Sequence, residues 1–280
     1  MLYIVIPVFN RKKFTQACLD LLRQQTYSDF KVVVVDDGST DGTDEMLAHD
    51  YPEVIVLKGD GNYFWTKATN AGVSYALEQG ATYVMTMNND TIPPENYLEK
   101  MMHWAAQKPN AVLGSLEVDY TSKKPVFGGV RQRWTPFKTA EPILPKIPEA
   151  KRHGLHPVTQ HPGRGCLIPR AVFEKIGLFD EVYFPHYYAD FEFTHRAYRS
   201  GFESYCNYDA IIYTYPDESG DKQNRKKKNW KKYYDHLFGI RGGGNLRNFT
   251  KFTLRYCPPY WVPTHLLEGY TRRLLGYWLK

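Results

Sequence analysis

The amino-acid sequence predicts an α/β fold with a mainly parallel, twisted sheet that carries helices on both faces. Apolar runs alternate with amphipathic segments over the first 110 residues, which is the pattern of strands connected by crossover helices. The runs are apolar throughout, as expected for strands that are buried on both faces. With 280 residues, 42 % of them hydrophobic, the chain is long enough to form a complete core.

The elements of the first half follow one another in a regular order. Four apolar runs predict strands at 3–8, 31–35, 54–57 and 83–87. Apolar residues at helical spacing follow each strand and predict helices at 14–22, 43–48, 68–76 and 97–105. Because each strand is followed by a helix, successive strands are expected to run parallel to each other.

The second half of the chain is less regular. Residues 115–162 are rich in Pro, Gly and Lys and predict short strands with a long loop. A helix is predicted at 170–176, where Gly177 ends it, and another from about Asp190 to Ser200.

Charge separates a C-terminal tail, residues 222–280, from the rest of the chain. The tail contains 14 Lys and Arg and two acids, a net charge of +12, so residues 1–221 carry −6 of the total of +6. Aromatic and leucine side chains recur at helical spacing among these basic residues, which favours an interfacial helix on an anionic membrane surface. Docking of the aromatic residues against the preceding domain is the alternative. No nucleic-acid-binding motif is present, so nucleic acid is not an expected partner.

Composition excludes several other classes. No apolar run approaches the roughly 20 residues that a membrane-spanning helix needs. The N-terminal apolar run is expected to be the first strand rather than a signal peptide, because Pro7 interrupts it and no charged leader precedes it. The four cysteines are far apart and form no Cys-x-x-Cys, which disfavours structural zinc and indicates a reducing cytoplasm.

Three of the predicted strands end in groups of residues that are candidates for a shared site, because ligands of open α/β sheets bind at the carboxyl ends of strands. No glycine-rich nucleotide-binding motif is present, so a phosphate loop of that kind is excluded. A lone carboxylate, Asp90, beside carboxamides suits a hard divalent cation that also binds phosphate oxygens. The three groups are Pro7 to Asn10, then Asp36 and Asp37, then Asn88, Asn89 and Asp90.

Taken together and in this order, the motifs resemble glycosyltransferase family 2, whose members have the GT-A fold. The resemblance covers roughly residues 1–205, and the Asn-Asn-Asp sequence resembles a rhamnosyltransferase-like subgroup. The matching segments are Pro7-Val8-Phe9-Asn10, Val35 to Gly42, Asn70-Ala71-Gly72, Asn88-Asn89-Asp90, Gly165 to Ile168, Phe173 to Glu181 and Ala189-Asp190-Phe191-Glu192.

The resemblance implies an inverting enzyme that transfers a sugar, a hexose or deoxyhexose, from a nucleotide-diphosphate sugar to an acceptor hydroxyl. It implies that Asp90 takes the place of the last acid of the family's Asp-x-Asp motif and binds Mg²⁺ or Mn²⁺. Residues 1–110 would form the nucleotide-sugar half of the domain and residues 111–221 the acceptor half. The expected donor-binding residues are Pro7, Phe9, Asn10, Asp37, Lys67, Asn70, Asn88 and Asn89, and Arg164 is a further candidate contact for phosphate.

The expected general base is Asp190, which by the same resemblance would take the proton of the acceptor hydroxyl. Two alternatives remain at this stage. Asp190 is also suited to cap the following helix, and Glu192 is a second candidate base.

The acceptor expected from the basic tail is a lipid-linked or surface glycan, as in the assembly of cell-envelope polysaccharides. The protein would then be cytoplasmic and peripheral on the inner face of the membrane. Two other functions are weighed: a non-catalytic nucleotide- or glycan-binding module, and a sugar-nucleotide nucleotidyltransferase. The second would need a glycine-rich loop after the first strand, and residues 8–13 contain no glycine.

Overall fold

A ten-stranded sheet forms the centre of the molecule in the computed structural model, which describes residues 1–136, 138–215 and 228–279. The predicted boundary at 221 and the basic residues 222–227 lie outside these ranges. The strands of the sheet and of a separate β8–β9 ribbon are β1 Leu2–Val8, β2 Phe30–Asp36, β3 Ile55–Lys58, β4 Tyr83–Thr86, β5 Thr91–Ile92, β6 Val112–Asp119, β7 Pro125–Phe127, β8 Val130–Thr135, β9 Lys138–Pro142, β10 Leu155–Pro157, β11 Cys166–Pro169 and β12 Ser204–Thr214.

The strands lie in the order β10-β12-β6-β11-β4-β1-β2-β3, with β5 beside β12 and β7 beside β6. β1 is parallel to β2 and β4, β2 is parallel to β3, and β6 is parallel to β12. β11 is antiparallel to both of its neighbours, β4 and β6. The predicted α/β fold with a largely parallel central sheet is therefore confirmed. β10 and β5 are also antiparallel to β12, and β7 to β6, so every antiparallel pairing includes a strand from the less regular second half.

Helices cover both faces of the sheet and continue into the tail. The four helices of the first half begin and end within a few residues of the predicted positions. The pattern does not predict the long strand β12. The α-helices are α1 Lys12–Arg23, α2 Thr43–Asp50, α3 Phe64–Glu78, α4 Tyr97–Gln107, α5 Arg170–Ile176, α6 Ala189–Arg199, α7 Trp230–Phe238, α8 Leu246–Tyr256 and α9 Val262–Leu279.

The sheet divides the core into two apolar layers. Ile4 and Ile6 of β1 face a layer that includes side chains of α1, α2 and α4. Tyr3 and Val5 face the opposite layer with α3, α5 and α6, because successive side chains of a strand point to opposite faces. Gly72 lets α3 approach β1 closely, since a Cβ there would lie 2.4 Å from Val5 Cγ1. The Asn-Ala-Gly motif thus has a packing role in the fold.

The tail packs on this domain through α8. Phe252 joins the second apolar layer and is 6 % exposed, as is Phe249. Arg255 Nη1 pairs with Asp180 Oδ2 at 2.9 Å and with Glu192 Oε1 at 3.0 Å. The alternative in which aromatic residues of the tail pack against the preceding domain therefore holds for Phe252, whereas Phe249 packs against α9, with its ring centroid 6.1 Å from that of Tyr270.

Other apolar side chains of the tail are exposed. Trp230 is 75 % exposed, and Tyr260 and Leu267 are each 72 % exposed. Among the helices of the described ranges, none has the length and apolarity that crossing a bilayer requires. The tail thus combines a buried face toward the sheet with an exposed apolar surface.

Candidate active site

A cavity of about 1000 Å³ opens at the carboxyl ends of β1, β2 and β4. β2 and β4 lie on opposite sides of β1, so the strand order reverses at this point, which is where open α/β sheets bind ligands. Eight of the predicted residues line the cavity: Pro7, Phe9, Asp37, Asn88, Asn89, Asp90, Arg164 and Asp190. Asn10, Lys67 and Asn70 do not line it.

The three outlying residues have other partners. Asn10 Oδ1 accepts the N–H of Thr40 at 2.9 Å, which joins the loops that follow β1 and β2. Lys67 Nζ lies 4.1 Å from the ring centroid of Tyr63. Asn70 accepts the N–H of Phe179 at 3.0 Å and donates to its carbonyl at 2.9 Å. Asn10 and Asn70 therefore join segments next to the cavity, whereas Lys67 is exposed outside it.

Asp37 shapes the loop between β3 and α3. Its Oδ1 accepts the N–H of Gly61 at 2.9 Å, and its Oδ2 accepts those of Tyr63 at 2.9 Å and Phe64 at 3.2 Å. A Cβ at Gly59 would lie 2.5 Å from Asp37 Oδ1, so only glycine fits there. The carboxylate thereby holds the loop that brings the ring of Phe64 to the cavity.

Backbone strain is concentrated at this site. Five described residues other than glycine have a positive φ, and four of them border the cavity or its loops. Left-handed backbone costs about 1–3 kcal/mol at such residues and persists where the surrounding structure enforces it, often at functional sites. The four are Asn10 at 57°, Arg11 at 68°, Phe64 at 53° and Tyr188 at 75°.

The three side chains of the Asn-Asn-Asp motif after β4 make different contacts. Asn88 Oδ1 accepts the indole N–H of Trp65 at 3.0 Å. Asn89 is buried and donates to Thr15 Oγ1 at 2.9 Å, so it ties the motif to α1. Asp90 has a different environment, because its Oδ2 pairs with Arg11 Nη1 at 3.0 Å.

The second carboxylate oxygen of Asp90, Oδ1, is the atom that a cation would bind. Oδ1 is buried and has no hydrogen-bond partner among the described residues. In the same part of the chain, no three His, Cys, Asp or Glu side chains cluster as a complete metal site. A cation that takes one carboxylate oxygen and completes its coordination with phosphate oxygens, as Mg²⁺ does, is consistent with this arrangement.

Arg164 and Glu117 form a buried charge pair beside the same cavity. Arg164 Nη2 lies 2.8 Å from Glu117 Oε2, and the side chain of Glu117 is 1 % exposed. Burial raises the pKa of Glu117, while the charge of Arg164 opposes that shift. The sequence analysis missed Glu117, although a lone acid within the buried strand β6 is an unusual signal that could have identified it.

Asp190 lies at the start of α6 and lines the cavity. Its Oδ2 accepts the N–H of Gly163 and its Oδ1 that of Phe191, both at 2.9 Å. Burial raises the pKa of Asp190, and these two N–H groups and the charge of Arg164 oppose the rise. The residue at the N-cap position is Tyr188, so Asp190 does not cap the helix in the usual way.

Glu192, the second candidate base, points away from the cavity. Its carboxylate is fully buried and pairs with Arg196 at 3.1 Å and Arg255 at 3.0 Å, and it also accepts the hydroxyl of Tyr256. This network joins α6 to α8 and serves packing.

The tail forms the far wall of the cavity and holds the segment around Asp190. Asn248 Nδ2 donates to the carbonyl of Tyr187 at 3.1 Å, and Arg273 donates to the hydroxyl of Tyr188. Side chains of α8 and α9 line the cavity beyond Asp190. The tail is therefore part of the site, a role that its composition alone does not indicate.

The sequence of this chain is similar to those of known glycosyltransferases. The model of the family described as glycosyl transferase family 2 matches residues 3–177. The low-salt glycan biosynthesis hexosyltransferase Agl10 of Haloferax volcanii is 28 % identical over 206 residues, 72 % of this chain and 64 % of that protein. An uncharacterized glycosyltransferase of Rickettsia typhi is 29 % identical over 189 residues, 64 % of this chain and 53 % of that protein. The chain thus spans between half and two thirds of the length of these two relatives.

Solved structures show the same fold at low identity. S. aureus TarS superposes with a TM-score of 0.62 at 14 % identity, covering 99 % of this chain and 55 % of that one. The mannosyltransferase PcManGT from Pyrobaculum calidifontis, in complex with GDP-Man and Mn²⁺, gives 0.60 at 17 % identity, with 99 % and 73 % coverage. These likenesses support the GT-A fold alone. The match of the family model over more than half of the sequence shows that the chain belongs to glycosyltransferase family 2.

Proposed function

We propose that this protein is an inverting glycosyltransferase that moves a sugar from a nucleotide-diphosphate sugar to an acceptor hydroxyl. The observation that carries the proposal is the placement of two carboxylates, Asp90 and Asp190, on one cavity at the carboxyl ends of the strands. Each has a different partner set, since Asp90 pairs with Arg11 whereas Asp190 accepts backbone N–H groups. Two carboxylates in different environments are suited to different roles.

The donor is proposed to bind at the ends of β1, β2 and β4. Pro7, Phe9 and Phe64 offer apolar surface for a nucleoside, and Asp37 holds the loop that carries Phe64. Fold neighbours support a nucleotide-sugar donor, because TarS has been crystallised with UDP and UDP-GlcNAc and PcManGT with GDP-Man. The Asn-Asn-Asp motif leads us to propose a hexose or deoxyhexose donor of the rhamnosyltransferase-like subgroup.

Asp90 Oδ1 is proposed to hold Mg²⁺ or Mn²⁺. A bound cation would supply electrostatic stabilisation of the departing diphosphate. Arg11 and Arg164 add fixed positive charge near Asp90, and both line the cavity. These guanidinium groups can donate hydrogen bonds to phosphate oxygens without a change in protonation.

Asp190 is proposed to be the general base. As the acceptor oxygen forms its bond to the anomeric carbon, the proton of that hydroxyl passes to a carboxylate oxygen of Asp190. The bond between the anomeric carbon and the diphosphate oxygen breaks with its electron pair on the diphosphate. Attack opposite the leaving group inverts the anomeric centre. The hydrogen bonds from Gly163 and Phe191 keep the carboxylate oriented, and positioning of this kind is required of a base.

The acceptor is proposed to be a lipid-linked or surface glycan of the cell envelope. The exposed Trp230, Tyr260 and Leu267 of the basic tail support contact with an anionic membrane surface. The protein would then be a cytoplasmic, peripheral enzyme, with residues 1–110 and 111–221 as donor and acceptor halves and 222–280 as the membrane-facing tail.

Donor binding and turnover test the proposal. The full chain is screened by thermal shift against UDP-, GDP- and dTDP-linked sugars with Mn²⁺ or with EDTA, because a ligand of the native state raises the melting temperature. The expected result is stabilisation by one donor class and metal-dependent release of its nucleoside diphosphate. Binding without turnover, in the presence of lipid-linked glycan acceptors, would favour the non-catalytic module. Release of inorganic pyrophosphate from a nucleoside triphosphate and a sugar phosphate would favour the nucleotidyltransferase.

Flotation tests the membrane proposal separately. The full chain is expected to float with vesicles that contain anionic lipid and to remain at the bottom with neutral vesicles. A Trp230→Ala, Tyr260→Ala, Leu267→Ala variant removes exposed apolar surface without touching the cavity and is expected to lose flotation. Undiminished flotation of this variant would contradict a role for these side chains.

A further inference from the structure

A glycine-rich turn joins α7 to α8 and carries a single arginine. Its sequence is Gly-Ile-Arg-Gly-Gly-Gly-Asn, residues 239–245, and it lies beyond residues 3–177, which the family model matches. Arg241, Gly243 and Gly244 line the cavity. The turn is thus a part of the cavity wall that lies outside the region matched by the family model.

Three of the four glycines of the turn have no room for a side chain. A Cβ at Gly239 would lie 2.6 Å from the carbonyl oxygen of Asp235, and one at Gly242 would lie 2.3 Å from that of His236. A Cβ at Gly244 would lie 2.2 Å from His236 Nε2. Because the turn packs against the end of α7 at these three glycines, the backbone fixes the position of Arg241.

Asn245 closes the turn from the other side. Its Nδ2 donates to the carbonyl of Gly239 at 2.9 Å, and its Oδ1 accepts the N–H of Asn248 at 2.9 Å. One side chain therefore links the two ends of the turn and caps α8, which restricts the turn further.

Arg241 lies at the donor end of the cavity. Its Cζ is 5.2 Å from the ring centroid of Phe9 and 5.5 Å from that of Phe64. The part of the cavity surface that is proposed to bind the donor, formed by Pro7, Phe9 and Phe64, is called the donor wall. Phe9 follows β1 and Phe64 begins α3, so one tail residue contacts both aromatic side chains of this wall. Arg241 is also close enough to His186, another cavity residue, to reinforce the lowering of its pKa to about 4 that burial causes.

The guanidinium of Arg241 differs from those of the other arginines of the cavity. Arg11 pairs with Asp90, Arg164 with Glu117, and Arg272 with Glu268. Arg273 donates to the carbonyl of Gly269 and to the hydroxyl of Tyr188. For Arg241, the described part of the chain offers neither a carboxylate at ion-pair distance nor a hydrogen-bond acceptor. A planar group with five N–H donors is thus available at the cavity, and its geometry matches a phosphate group.

We propose that Arg241 binds the diphosphate of the nucleotide donor, so that the C-terminal tail completes the donor site. This assignment rests on the proposed function. It gives the glycine-rich turn a purpose, because the turn holds the arginine between the aromatic donor wall and the helices of the tail. A charge-assisted hydrogen bond in such a place is stronger than a neutral one.

Calorimetric titration of the full chain tests the assignment. The probes are UDP, GDP and dTDP, each with Mg²⁺, and the corresponding nucleosides without phosphate. In Arg241→Met, which keeps an apolar stem over the rings, the affinity for the bound nucleoside diphosphate is expected to fall about 10- to 100-fold, as expected for a lost charged hydrogen bond. The affinity for the matching nucleoside is expected to stay within about twofold, because the nucleoside has no diphosphate to lose. Arg241→Lys keeps the positive charge but loses the planar geometry of the guanidinium. Its affinity for the nucleoside diphosphate is expected to lie between those of Arg241→Met and the wild type.

Arg247→Met is the matched control, because Arg247 is exposed, lies in the first turn of α8 just after the glycine-rich turn, and does not line the cavity. Its affinities are expected to equal those of the wild type. An unchanged nucleoside diphosphate affinity in Arg241→Met would overturn the assignment, and so would an equal loss for the nucleoside. If the wild type binds no nucleoside diphosphate, the proposed function fails and the assignment fails with it.

Discussion

The two walls of the cavity are specified in different ways. The donor wall consists of short motifs that directly follow β1, β2 and β4, so strand topology alone brings them together. The wall formed by the tail consists of side chains from α7, α8 and α9 and depends on the docking of those helices. Residues next in sequence to a buried strand are therefore placed by local structure, whereas those of the tail are placed by long-range packing.

Docking of the tail supports the acceptor side through contacts to the segment around Asp190, whereas on the donor side it brings Arg241 over Phe9 and Phe64. The tail contacts the residues on both sides of Asp190, through Asn248 on Tyr187 and Arg255 on Glu192. None of the described tail residues pairs with Asp90, whose partner Arg11 precedes α1. Loss of docking should therefore affect the candidate base before it affects the candidate cation site.

The largest expected effect comes from breaking the docking itself. Phe252→Ala removes a ring that is 6 % exposed and packed in the second apolar layer, so the free energy of unfolding is expected to fall by about 3–5 kcal/mol. Leu254→Ala is the control on the same helix. It is 60 % exposed and its effect is expected to stay within about 0.5 kcal/mol.

Urea denaturation followed by circular dichroism measures both variants in the absence of lipid. Equal stabilities of Phe252→Ala and Leu254→Ala would mean that the tail does not dock in solution. The comparison of the two walls would then apply only to a membrane-bound state.

The next effect concerns the acceptor side and activity. Asp190→Asn is expected to lower kcat for transfer by about 10²-fold or more, because the amide cannot accept the proton. The dissociation constant for the donor is expected to stay the same, since Asp190 is assigned to the acceptor. Glu268→Gln, an equal exchange on the tail wall, where Glu268 pairs with the exposed Arg272, is expected to keep wild-type turnover.

Wild-type turnover of Asp190→Asn would remove the base assignment. A loss of donor affinity in the same variant would instead place Asp190 at the donor end.

The difference between the walls also explains what could be predicted from the sequence. The first four strands and helices can be predicted because hydrophobic periodicity reports local burial. Asp90 can be predicted as a site residue because it lies just after such a strand. Glu117 lies in a strand at the irregular centre of the chain, and its role becomes clear only through its contact with Arg164. The position of Arg241 over Phe9 depends on residues more than 200 apart in sequence and has no local signal.

The pH dependence of kcat sharpens the assignment of Asp190. Burial raises the pKa of this carboxyl, so its base form is lost as the pH falls through a value above the ordinary pKa of aspartate, about 3.9. The acid limb of the kcat profile is expected at that raised pH. The positive charge of Arg164 lowers the pKa of Asp190, so Arg164→Met is expected to move the limb to higher pH.

Steady-state assays from pH 4 to 8, together with a thermal unfolding curve for each protein, measure the shift. The unfolding curve is needed because Arg164→Met leaves Glu117 without its partner. A limb that stays in place, or moves to lower pH, would show that another group limits the reaction.

The smallest expected effect concerns the donor wall and the single carboxylate of its candidate cation site. Asn88→Asp restores the acid that most members of the family are expected to have, and an aspartate can still accept the indole N–H of Trp65. A second negative charge near Asp90 is expected to tighten Mn²⁺ binding by roughly 3- to 10-fold, which corresponds to about 1 kcal/mol of added attraction. Asn110→Asp adds the same charge at an exposed turn outside the cavity and serves as the control. Mn²⁺ titration followed by electron paramagnetic resonance, in the presence of a bound nucleoside diphosphate, measures both. Equal affinities for wild type and Asn88→Asp would mean that residue 88 lies outside the reach of the cation, and that Asp90 and the diphosphate alone hold it.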